Sequence, residues 1–302
     1  MLVADVAPSD NANSVHFHKR LARRNAVRVA PGTPAENWEN EERADIEYRI
    51  IEGRYLEDLR ANISPMVISQ IDSEEQFVDW FESLADWGPG QDHPLFDWLA
   101  NQADLSQMKW FLTQEIAGEA GFDDLLAYSQ VKLPTQAKLE CARNYWDEMG
   151  RGKAGAMHGP LLAGMINELG LQPSLEETVW ESLALGNIML GMATNRRYAY
   201  HSLGALGVIE LTAPQRAAKV VAGMQRLGLS TTAFAYFKLH AVIDVIHSKN
   251  WIREIIRPLI RENLEYAQYI AEGALMRLHS GKLCFDRYAS ELHLDFSANA
   301  TH

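Results

Sequence analysis

The chain has 302 residues and a mass of 34.0 kDa, with 47% apolar and 23% charged residues, the composition of a folded globular protein and not of a disordered or collagenous one. Twenty-eight Lys and Arg stand against 40 Asp and Glu, a net charge of −12, which leaves no general basic field for nucleic acid or an anionic membrane. The two cysteines, Cys141 and Cys284, are too far apart for a zinc ribbon or a redox pair, and no run approaches the roughly 20 apolar residues of a membrane span.

Residues 1–38 mix Pro, Asn, Asp, Ser and Arg without apolar periodicity and read as a flexible N-terminal arm or a strap over the core. Its basic cluster, Lys19, Arg20, Arg23 and Arg24, follows a polar stretch, the wrong order for a signal peptide, so the expectation is a cytoplasmic protein. Residues 39–302 read as a single helical domain, with apolar positions recurring every three or four residues from about Glu41. Asp72 to Trp87 opens on Asp-Ser and acidic residues, aligns Phe77, Trp80 and Phe81, and stops at Gly88-Pro89-Gly90, as a capped helix should. Further helices are predicted at 106–119, 122–130, 135–149, 158–169, 175–193, 213–227, 231–248, 251–257 and 263–278. Pro134 and Pro214 fall at helix starts and Gly170 and Gly228 after helix ends, the usual asymmetry. No strand pattern competes, so the fold class is an all-α bundle.

The sharpest pattern is FKLHAVIDVIHSKNW, where His240, Asp244 and His247 stand at i, i+4 and i+7. Seven steps of about 100° return to within roughly 20° of the start, so the three side chains share one helix face. The positions between them are apolar, which predicts a mostly buried helix. Buried ionisable groups need partners. A divalent metal meets that need, and so do hydrogen bonds between two core histidines and Asp244. A second pattern, NYWDEMGRGKAGAMHGPL, places Glu148 before a glycine-rich break and His158 after it. An unbroken helix would hold them about 15 Å apart, whereas a break at Gly150, Gly152 and Gly155 lets two helix ends meet. Here the alternative is a pair of surface acids, Asp147 and Glu148, and a helix-start histidine. Glu115, Glu119 and Glu210 are further acids in apolar helical surroundings. Carboxylates and imidazoles converging from several helices are how bundles hold paired iron or manganese, although the two Glu-x-x-His motifs of ferritin-like proteins are absent.

FLTQE, FDDLLAYSQV, ARNYWDEMG with His158 ten places after Glu148, YHSLGALGVIE and LHAVIDVIH together resemble the haem-oxygenase-like diiron oxidases, the iron-containing redox enzymes, in order from about Trp110 to Ile256. The resemblance implies a haem-oxygenase-like bundle of about seven core helices, two iron ions cycling between Fe2+ and Fe3+, and O2 as co-substrate. It also implies a ligand set of Glu115, Glu148, His158, Glu210, His240, Asp244 and His247. His158 and Glu210 would serve one iron, and His240, Asp244 and His247 the other, with Glu115 and Glu148 binding or bridging and Glu119 as the alternative to Glu115. No catalytic residue beyond these ligands is expected.

From the resemblance also comes the expected activity, an oxidase or oxygenase acting on a small amine or amino-acid-like metabolite, with N-oxygenation first. Alternatives are desaturation, C–C cleavage or decarboxylation of an amino or fatty acid, or non-catalytic metal or small-molecule binding on the same scaffold. Arg196, Arg197 and Tyr200 are the candidates for holding the substrate, Arg196 and Arg197 through a guanidinium fork. Tyr236 and Lys238 are read as pointing away from His240. The expected partners are the substrate and an external electron donor, with a homodimer left open and no nucleic acid or membrane. A cysteine hydrolase would need an activated thiol, and neither Cys141 nor Cys284 has an evident base.

Overall fold

Ser73 accepts the Gln76 N–H at 3.1 Å and opens the helix Glu74–Trp87, which ends before Gly88. Such local signals set most of the elements. The structure is a computed structural model that describes residues 14–67, 71–119 and 122–296. Its α-helices, in order, are α1 Val15–Val29, α2 Trp38–Ile63, α3 Glu74–Trp87, α4 Pro94–Asn101, α5 Leu105–Glu119, α6 Phe122–Ser129, α7 Thr135–Glu148 and α8 His158–Leu169. They continue with α9 Trp180–Thr194, α10 Ala199–Arg226, α11 Thr231–Trp251, α12 Arg257–Glu262 and α13 Tyr266–Glu291. The described residues contain no strand. None of their helices is long and apolar enough to cross a membrane.

Helix α10 is the axis of the bundle, packing against α3, α4, α9, α11 and α13, while α11 also carries α8. Close approach to α13 depends on small residues. A Cβ on Gly204 would lie 1.9 Å from the Ile270 carbonyl oxygen, and one on Gly273 1.9 Å from that of His201. The two backbones therefore touch directly. One turn on, Gly207 leaves room for the Trp251 indole, whose N–H donates to the Leu203 carbonyl at 3.1 Å.

A buried carboxylate ties a third helix to this pair. Glu272 on α13 accepts from Arg60 (2.8 Å) and Ser64 (2.7 Å) at the end of α2, from Gln268 (3.0 Å), and lies 2.9 Å from His201 Nε2 on α10. Burial alone would raise its pKa, yet the bonds from His201, Gln268, Ser64 and Arg60 outweigh that and hold it at about 2. Every oxygen of this cluster is satisfied by protein, so it works as an anchor for α2.

Several expectations are corrected. Within 1–38, residues 15–29 form α1, which buries Phe17, His18 and Leu21 and packs on α9; it is no loose arm. Asn25 donates to Asn187 at 3.0 Å, a side-chain tether that apolar periodicity does not register. Residues 1–13 lie outside the described ones. Pro214 does not start a helix, because α10 runs through it from Ala199; it removes only the N–H that would reach the Glu210 carbonyl four residues back. Residues 175–179 are turns before α9, and α13 continues thirteen residues past Leu278 to Glu291. The face of α11 opposite the His/Asp stripe is open, with Val242 65% and Ile246 59% exposed.

Two measurements test this account. Gly204→Ala should cost about 2 kcal/mol in urea unfolding, since the new methyl must displace backbone, with Ala205→Gly losing less because no clash is created. The low pKa of Glu272 gives stability that is full above its unfolded pKa near 4.5 and lost as pH falls toward 2, on the order of 3 kcal/mol. Glu272→Gln should therefore flatten the decline in unfolding free energy between pH 5 and pH 3; an unchanged slope would contradict the assignment.

Candidate metal centre

The glycine-rich break does what the spacing required. After Glu148 the chain makes two short turns, Gly150–Gly152 and Ala154–Ala156, with left-handed φ at Gly150 (60°), Arg151 (53°) and Gly152 (81°). Gly150 passes so close to Ala156 and Met157 that a Cβ would meet backbone at 2.5 Å, so this loop folds back tightly. Its return brings His158, the first residue of α8, to Glu148, the last of α7, with Nδ1 against Oε2.

On α11, His240 Nδ1 lies 3.2 Å from both Asp244 oxygens. The His240 and His158 rings meet edge to face with centroids 4.6 Å apart. His247, one turn further, places Nδ1 3.4 Å from Glu210 Oε2 of α10 and Nε2 3.1 Å from Asp147 Oδ2 of α7. Ligand atoms of Glu148, Glu210 and His247 all lie within 4.8 Å of one another. Four helices thus bring six of the seven expected residues together. The seventh, Glu115, lines the same cavity as Glu148, Glu210, His240 and Asp244. Glu119 has a side chain outside the described ones. Glu210 has His247 beside its Oε2 and a Glu148 oxygen within 4.8 Å.

Electrostatics show what is missing from a purely protein account. Asp244 is pushed up to about 7 by burial and by the Glu210 carboxylate, against the pull of His240, with Glu148 adding to the rise. Burial disfavours a charged His247, but Glu210, Asp147 and Asp244 outweigh it and lift its pKa to about 9. Three buried acids in mutual repulsion are costly unless cations share their charge. His158 Nε2 is buried with no hydrogen-bond partner, the lone pair of a potential donor left without a proton source. Imidazole nitrogen plus carboxylate oxygen is the donor set that suits divalent iron. The residues fit a metal site.

Sequence reasoning missed the groups that orient the candidate ligands. Asn144, one turn before Glu148, donates to Glu210 Oε1 at 2.7 Å. Asp147 holds His247 and is itself bonded by Arg151 at 2.5 Å; its pKa, which burial would raise, is lowered by Arg151 and His247. Tyr236 lines the cavity with its ring centroid 4.6 Å from that of His240, so the expectation that it points away is corrected. Four residues apart on a helix means the same face, which the spacing alone could have signalled.

The proposed substrate residues are not brought here. Arg196 is exposed and donates to the carbonyls of Tyr128, Ser129 and Val131 that end α6. Exposed Arg197 follows the Asn195 cap, and Tyr200 stacks on Tyr266 at 4.0 Å. None of the three lines the cavity. The cysteines are buried, with burial pushing Cys141 up to about 12 and Cys284 higher still, so neither is a nucleophile.

The same bundle is found in two crystal structures of a CADD-like protein of unknown function from Nostoc punctiforme PCC 73102. One aligns at TM-score 0.57 and 17% identity over 72% of this chain and 97% of that one, the other at 0.53 and 18% over 72% and 95%. A domain of unknown function with a heme oxygenase-like fold from Shewanella denitrificans OS217 aligns at TM-score 0.53 and 15% identity, over 78% of this chain and 97% of that one. No curated protein matches the chain in sequence. The fold is therefore haem-oxygenase-like. The chain belongs to the iron-containing redox enzyme family, whose pattern matches residues 109–282, a span that contains every candidate ligand.

Metal binding here must compete with protons on His247 and Asp244. Fe(II) affinity of the metal-free protein, read by anaerobic titration, should rise from pH 6 to pH 8 with net proton release, and His247→Ala should remove most of that rise along with at least one bound iron. Retention of full iron occupancy by His247→Ala would exclude it as a ligand.

Proposed function

We propose that the protein is an O2-activating non-haem diiron oxidase or oxygenase acting on a small amine or amino-acid-like metabolite, with N-oxygenation the favoured reaction. The observation that supports it most is the gathering of Glu148, Glu210, His240 and Asp244 around one cavity inside an apolar bundle, with His158 against Glu148 and His247 against Glu210. Glu115, Glu148, His158, Glu210, His240, Asp244 and His247 would hold two iron ions. A ferrous pair bound there would supply two electrons to O2, with an external donor restoring the reduced state.

The chain's own residues do the rest. Glu148, Glu210 and Asp244 offer negative charge that favours the oxidised metal, while the imidazoles suit the reduced one. Asn144 fixes the plane of the Glu210 carboxylate through its Oε1. Asp147 holds His247 at Nε2, which leaves Nδ1 directed at the cluster beside Glu210. Such outer partners orient ligands and tune their basicity. Phe96, Phe237, Phe285 and Tyr236 wall the cavity, an apolar lining with a few convergent polar groups of the kind small-molecule sites use. These rings would reduce the water around a bound substrate.

The test is anaerobic loading with Fe(II), counting iron per chain, then O2 uptake across a panel of amino acids, alkylamines and fatty acids. Two irons per chain and uptake that rises with an amine or amino acid are expected, and Glu210→Ala should lower that uptake by about 100-fold or more. Stimulation by fatty acids alone would move the reaction to decarboxylation or desaturation. Iron binding with uptake indifferent to every organic compound would reduce the protein to a metal-binding one.

A further inference from the structure

The cavity beside the candidate ligands carries two guanidinium groups, and they are in different states. Arg216 on α10 is occupied: it donates to Gln91 Oε1 at 3.2 Å and to Thr212 Oγ1 at 3.3 Å, and its guanidinium sits over the Phe285 ring at 5.5 Å. Arg277 on α13 lines the same cavity, yet its Nε is buried without a hydrogen-bond partner. Among the described residues its guanidinium forms no hydrogen bond or ion pair. Two acids share its neighbourhood around Cys284. Glu115 interacts with Tyr288, and Glu181 lies 3.9 Å from Arg287.

A half-buried guanidinium with unused donors is a costly element unless something anionic completes it. Its fork matches a carboxylate in two parallel N–H···O bonds. The remaining acids of the cavity cannot do this while they hold cations. The cavity it shares has apolar and aromatic walls, with Phe96 and Phe285 meeting edge to face at 4.8 Å and Leu185, Ile209 and Val220 beside them. An occupant must therefore present both an anionic group and an apolar body.

We infer that Arg277 is the anchor for the substrate's carboxylate, so that the substrate is an organic acid with an apolar body, its carboxylate bound at α13 and the remainder directed along the aromatic walls toward the Glu148, Glu210, His240 and Asp244 side of the cavity. This rests on the proposed function only for the word substrate; as a binding site it stands on the cavity and its unpaired guanidinium. Arg277 is a specificity residue and, among the described residues, makes no hydrogen bond or ion pair to a candidate ligand.

The probe is 3-phenylpropionate against its uncharged amide, titrated by calorimetry into the anaerobic Fe(II)-loaded protein and again into the iron-free protein. The acid should bind about tenfold or more tighter than the amide. Arg277→Gln should remove that preference, weakening the acid and leaving the amide and the iron content unchanged, with Arg277→Lys intermediate. Circular dichroism establishes that each variant is folded, and should Arg277→Gln not fold, the Lys variant and the acid-to-amide ratio of the parent protein carry the test. Equal binding of acid and amide, or an acid affinity unmoved by Arg277→Gln, overturns the inference. Arg277-dependent acid binding in a chain that takes up no iron would leave it standing and defeat the diiron reading instead.

Discussion

Like charge held in a low-dielectric interior is the constraint around which this molecule is organised. Glu148, Glu210 and Asp244 come from three helices and converge where water cannot screen them. Asp244 shows the tension most directly, its carboxyl raised to about 7 by burial and its acidic neighbours. Imidazoles at His158, His240 and His247 relieve part of the repulsion, and a cation would relieve the rest. Without a cation that concentration of charge costs stability, and a bound one would offset it.

The surrounding bundle holds that cluster against its own repulsion. Helix α10 carries Glu210 and is locked to α13 by backbone contact at Gly204 and Gly273. The saturated Glu272 anchor brings α2 onto the same pair. Helix α11 presents three candidate ligands from one face and hydrocarbon from the other, where Val242 and Ile246 meet solvent. Rigidity on one side of α10 and donor groups on the other give the site a fixed frame from elements far apart in sequence.

Much of this was legible from residue order alone. The i, i+4, i+7 spacing of His240, Asp244 and His247 is a property of a single helix, and a period is readable without tertiary knowledge. The Gly150–Gly155 break was likewise informative, because left-handed backbone is cheapest at glycine. What could not be read were relations between helices. Asn144 reaching Glu210, Asp147 reaching His247 and Arg277 facing the cavity depend on interhelical distance, and Arg196 looked suitable for a substrate although α6 carbonyls already use it. Helix α1 escaped notice because its burial is only four residues deep and its tether is an amide pair. At Pro214 a rule about helix starts misled, since a long packed helix tolerates one missing bond when neighbours hold both halves.

That missing bond falls at a telling place. Pro214 offers no N–H to the Glu210 carbonyl four residues back, so the turn bearing the Glu210 carboxylate has one backbone hydrogen bond fewer than a regular helix would give it. That leaves the Asn144 bond at Oε1 and the His247 contact at Oε2 as the side-chain restraints on the carboxylate this turn carries.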